Sequence, residues 1–60
     1  MYAVTFIKVI GKRKQTGDIP FTNYSDAREY ADDISIDNNA LSCTIWRVSK
    51  DGYFRVMDVL

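Results

Sequence analysis

Histidine is missing from this sequence altogether, and cysteine and proline occur once each. Without histidine, no Ser-His or Cys-His pair can activate a nucleophile, and no imidazole titrates near neutrality. One cysteine cannot close an internal disulfide, and it cannot anchor a zinc site that needs several Cys or His ligands. Cys43, next to Thr44 in a β-rich run, reads as a small buried apolar residue rather than a reactive thiol. No apolar stretch approaches the roughly 20 residues a membrane span needs. Tyr2–Ile10 is apolar but interrupted by Lys8, and it reads as a strand rather than a signal peptide. A lone thiol with no export signal makes the cytoplasm the expected location.

Motifs for phosphate, dinucleotide or metal binding are equally scarce. No glycine-rich phosphate loop or dinucleotide fingerprint occurs. Asp33, Ser35, Asp37 and Asn39 alternate like the first ligands of a calcium loop. Asn38 then stands where the turn glycine belongs, and Thr44 where the bidentate glutamate belongs. Asp32 and Asp33 are neighbours on a helix and point about 100° apart, so they do not converge on one reacting atom. The expectation is a protein that is not an enzyme and holds no cofactor or metal.

What is present describes a folded domain. The chain is 47% apolar and 27% charged, a globular rather than disordered balance. Sixty residues make one domain, 1–60. A chain of this size buries only about 60% of its unfolded surface, so its stability margin is thin and a partner often supplies the rest. The net charge is zero, but the charges are segregated. Residues 1–17 carry Lys8, Lys12, Arg13 and Lys14 and no acid. Residues 18–40 carry Asp18, Asp26, Glu29, Asp32, Asp33 and Asp37 against Arg28 alone. A neutral total argues against non-specific nucleic-acid binding while leaving a local basic patch free to act.

The pattern predicts strand, strand, helix, strand, strand. Tyr2–Ile10 is dominated by β-branched and aromatic residues, apolar on both parities, as in a central strand. The glycine-bracketed Gly11–Gly17 segment returns through Asp18-Ile19-Pro20-Phe21 as an edge strand, because Pro20 cannot donate to a ladder and lysines discourage stray pairing. Asn23 is an N-cap, with Asp26 completing a capping-box-like pair. Ala27, Tyr30, Ala31 and Ile34 recur at helical spacing as one apolar stripe. The helix is expected to fade around Asp37 to Asn39 with a left-handed asparagine cap, and Leu41 to fold back under its last turn.

Leu41–Val48 and Tyr53–Leu60 form a closing hairpin. A three-residue Lys50-Asp51-Gly52 loop would pair Val48 with Phe54, Trp46 with Val56, and Arg47 with Arg55. That register puts Trp46, Val48, Phe54 and Val56 on one face and Cys43, Ile45, Arg47, Arg55, Met57 and Val59 on the other. The expected fold class is α+β in two layers: a small antiparallel or mixed sheet of about four strands (β-β-α-β-β) with one helix packed on one face. One short helix cannot cover both apolar faces. Trp46, Val48, Phe54 and Val56 are taken as the helix-facing core. Ile45, Arg47, Tyr53, Arg55, Met57 and Val59 are then expected to form a protein interface, with a sheet-to-sheet homodimer as the favoured assembly. The reversed face assignment would leave an equally apolar surface.

Two further surfaces carry charge. Asp26, Glu29, Asp33 and Asp37 fall within about 80° on the helix, flanking its stripe. They form either a solvated face or a ribbon of carboxylates aimed at a basic protein surface. The run Gly11-Lys12-Arg13-Lys14-Gln15, with Phe21-Thr22 and Asp26-Ala27-Arg28-Glu29, resembles part of the arm-type DNA-binding domain of phage integrases, over about residues 2–34. The resemblance implies that Lys12, Arg13 and Lys14 contact phosphates, with Arg47 and Arg55 reading bases. A hairpin after the helix and an acidic helix depart from that family's pattern. The leading expectation is a small non-enzymatic interaction protein. In size it resembles phage and mobile-element accessory proteins that bind and inhibit or modulate a host protein. A DNA-binding module is the alternative.

Overall fold

The computed structural model describes residues 1–60 and has the expected element order. β1 (Tyr2–Ile10) and β2 (Arg13–Phe21) form one hairpin. Helix α1 (Tyr24–Ser35) follows, and β3 (Ala40–Ser49) and β4 (Gly52–Asp58) form a second hairpin. The four strands make a single open sheet in the order β2-β1-β3-β4, with every neighbouring pair antiparallel. β1 is therefore central, and β2 and β4 are the edges. The fold is α+β, with α1 packed on one face.

The first hairpin turns at Gly11, whose φ of 63° is open to glycine at little cost. At the helix start the Asn23 side chain accepts from the Asp26 N–H at 2.9 Å, as the capping pattern predicts. The helix stops earlier than expected. Its cap, Ile36, is right-handed, and no residue other than glycine has positive φ. Asp37 ends it instead: its carboxylate accepts the Asn39 N–H at 2.8 Å and pairs with Lys8 on β1 at 2.7 Å. Leu41 is exposed rather than tucked under the last turn.

The core is small, with only seven residues of the chain buried. Ala27, Ala31 and Ile34 of α1 meet Val4 of β1 and Cys43 and Ile45 of β3, ringed by Tyr2, Phe6, Phe21, Tyr30, Met57 and Val59. The helix stripe is as predicted, but the face it covers is the opposite one. Two alanines bring the helix backbone close to the sheet, leaving room beneath for Val4, Cys43 and Ile45 but not for an indole. Trp46 lies on the uncovered face, where its indole N–H donates to Thr5 Oγ1 at 2.8 Å. A half-buried indole is stabilised by such a partner. Ala3, directly opposite Trp46, is 2% exposed although no second layer lies there.

The closing hairpin also differs in register. Ser49 pairs with Gly52 across a two-residue Lys50-Asp51 turn, so Val48 faces Tyr53, Arg47 faces Phe54 and Trp46 faces Arg55. The Asp51 N–H donates to Ser49 Oγ, and Gly52 supplies a φ of 129°. A bulge at Val56 then shifts the ladder, and Ile45 pairs with Met57 and Thr44 with Asp58. Offset pairing removes the Arg47–Arg55 repulsion. Each guanidinium sits over an aromatic ring instead, Arg47 at 5.2 Å from the Phe54 centroid and Arg55 at 5.5 Å from that of Trp46.

On the edge strand β2, Gly17 faces Phe6, and a Cβ built there would overlap the Phe6 ring. The ring covers backbone that an edge glycine would otherwise expose. Gly17→Ala is expected to lower stability by about 1–3 kcal/mol, read by denaturant titration. Adding Phe6→Leu should cost less than the two single losses summed. A Gly17→Ala protein as stable as the parent would show that the ring is not held there.

Candidate interaction surfaces

Side chains of one chemistry gather in three places. The first lies around β4. Trp46, Tyr53 and Arg55 share the uncovered face: the Trp46 and Tyr53 rings meet edge-on at 6.3 Å, and Arg55 covers the indole. Asp58 joins them, accepting from Thr44 Oγ1 at 2.8 Å and lying 3.6 Å from the Arg55 guanidinium. Beside them Tyr53, Phe54 and Val56 are 53%, 44% and 43% exposed. This is the densest run of exposed large apolar side chains in the chain.

Of the six residues expected to form the protein interface, Tyr53 and Arg55 lie on the uncovered face. Ile45, Met57 and Val59 do not, and their placement is corrected by the structure. Ile45 is 0% exposed beneath α1. The Met57 sulfur receives Arg28 Nη1 at 3.0 Å and Tyr24 Oη at 3.4 Å, both from the helix. Val59 packs on the core, and its N–H donates to the Cys43 carbonyl at 2.8 Å. Arg47 projects to the helix side with Phe54, on the opposite face from Arg55. The expected helix-facing core of Trp46, Val48, Phe54 and Val56 is corrected as well: Trp46 and Val48 lie on the uncovered face, Phe54 is on the helix side but 44% exposed, and Val56, unpaired at the bulge, is 43% exposed. The signal available for Trp46 was its bulk, which fits poorly beneath a helix that meets the sheet through Ala27 and Ala31.

The second place is a shallow groove of about 300 Å³ between α1 and β2, lined by Phe21, Asp26, Glu29, Tyr30 and Asp33. Three of the four predicted acidic-face residues meet there, over the tilted Phe21–Tyr30 ring pair. Asp37 is not among them, because Lys8 draws it down onto the sheet. Asp32 is spent on Arg28 at 3.0 Å. No cluster of three His, Cys, Asp or Glu side chains is placed to hold a metal ion. The Cys43 thiol is buried, and that burial, more than the nearby Asp32 charge, raises its pKa and keeps it protonated.

The third is the exposed basic turn of Lys12, Arg13 and Lys14. Arg47 lies beside Tyr2 at the other end of β1, roughly 26 Å away for a nine-residue strand. The basic turn and the two sheet arginines therefore do not combine into one surface. No helix is long and apolar enough to cross a membrane. Comparison of the chain with protein-family models, with curated proteins and with solved structures returns no match.

The Lys8–Asp37 pair fixes where the chain leaves the helix, and its pH dependence has a definite sign. The hydrogen bond from Lys8, followed by the one from the Asn39 N–H, holds the Asp37 carboxyl below its ordinary value. A depressed folded pKa stabilises the protein above the unfolded value of about 3.9, and that stability is lost as pH falls through the folded one. Asp37→Asn should therefore lower the melting temperature at pH 7. The difference from the parent should shrink below about pH 4 and vanish in stronger acid. Melting curves that keep the same separation at every pH would remove this role from Asp37.

Proposed function

We propose that this protein is a non-enzymatic interaction module that engages another protein through the β4 side of its sheet and acts by binding alone. The observation that supports this most directly is the exposure of Tyr53, Phe54 and Val56 along the β4 edge, with Tyr53 beside the Trp46–Arg55 stack on one face and Phe54 under Arg47 on the other. Aromatic residues and arginine are the types that dominate binding energy at protein interfaces. Exposed apolar groups gathered in one run, rather than scattered singly, mark surfaces that meet a partner. The thin core points the same way, since area buried against a partner adds to the little this chain buries alone.

Site-specific photo-crosslinking in cells separates the three surfaces. A photoreactive residue at position 53 is expected to give protein adducts, to a second copy or to another protein. The same residue at position 29, in the acidic groove, or at 13, in the basic turn, should give few. Adducts confined to position 29 would move the binding surface to the groove. Nucleic-acid adducts at position 13 would replace this reading with the DNA-binding one.

A further inference from the structure

We infer that the partner strand is β4 of a second copy, paired antiparallel about a twofold axis between Val56 and Met57, so that two four-stranded sheets join into one of eight strands. This rests on the interaction reading above and names its occupant. An open edge presents unpaired N–H and C=O groups, a ready template for another strand. The two edges of this sheet are not alike. β2 carries Arg13, Lys14, Asp18 and Pro20, all exposed, which guard it against pairing. β4 has no lysine or proline and shows Tyr53, Phe54 and Val56 to solvent.

The register follows from the bulge. Two copies can pair about a twofold only through residues that share a face and turn their backbone groups outward. The Val48 N–H donates to the Met1 carbonyl, toward β1, so its partner Tyr53, and Arg55 two residues on, direct their backbone away from β3. The Val59 N–H donates to Cys43, so Asp58, one residue earlier, is turned outward as well. In a regular strand residues 55 and 58 would point oppositely. The extra residue at Val56 brings them into phase, and Arg55 and Asp58 both lie on the uncovered face, against Trp46 and Thr44.

A twofold pairing Arg55 with Asp58 of the second copy makes that match twice, with opposite charges each time. It also sets Phe54 beside Val59 of the second copy. Pairing Arg55 with Arg55 would instead place like charges together. At present Arg55 and Asp58 meet within one strand at 3.6 Å, with both side chains more than half exposed.

The test is charge exchange followed by sedimentation equilibrium, with circular dichroism confirming that each variant is folded. The unaltered chain should dimerise as its concentration rises. Arg55→Asp alone and Asp58→Arg alone should each weaken the dimer by about tenfold or more, since each creates two like-charge pairs. Mixing the two variants should restore it, because every cross-strand pair is then opposite in charge. A chain that stays monomeric at millimolar concentration, or a dimer unmoved by either substitution, overturns the proposal. If crosslinking at position 53 still captures another protein, the interaction reading survives that failure.

Discussion

The close approach of α1 to the sheet, made through Ala27 and Ala31, is the contact on which the rest of the structure depends. It buries Val4, Cys43 and Ile45. Each large side chain brought under cover is worth roughly 1.5–3 kcal/mol, so these few residues carry much of the stability. A 12-residue helix is only about 18 Å long, whereas a ten-residue strand runs to roughly 33 Å. The helix therefore shields part of one face and nothing of the other. Every apolar group beyond its reach must find a local solution. Trp46 lies on its own sheet with Thr5 and Arg55. Tyr53 and Phe54 find only partial cover, against Trp46 and under Arg47, and with Val56 they stay exposed.

Charge is arranged around the same constraint. The flank of α1 facing β2 carries carboxylates above an aromatic floor, and the far turn of the first hairpin carries three bases. The two arginines of the second hairpin, by contrast, are each held on an aromatic ring. A guanidinium over a ring retains its charge while covering apolar area. The β4 side thus combines apolar surface with oriented charge of both signs, whereas the other two surfaces offer charge of one sign. That difference is why the binding role is proposed for the β4 side rather than for either charged patch.

Much of the architecture was legible from local chemistry. The N-cap at Asn23, the Ala27–Ile34 stripe, the edge position of β2 with Pro20 and the central position of β1 all follow from side-chain type and spacing. Those signals act within a few residues. The hairpin register was not legible in the same way. Several loops were compatible with Asp51-Gly52, and the bulge at Val56 leaves no compositional mark. The two-residue turn set Phe54 on the helix side and Arg55 beside Trp46, and the one unpaired residue, Val56, then brought Asp58 into phase with Arg55.

The amino-acid sequence by itself determined that this chain builds four strands and one helix, and that it has more apolar sheet than the helix can cover. Tertiary structure alone decided which face was covered, because both faces are apolar by composition and periodicity cannot rank them. The choice was made by volume and by one hydrogen bond. Alanines draw the helix too close for an indole, and the Trp46 N–H requires an acceptor that Thr5 provides on the other side. With that settled, Ile45 became core with Met57 and Val59 packed against it, and Tyr53, Phe54 and Val56 stayed exposed.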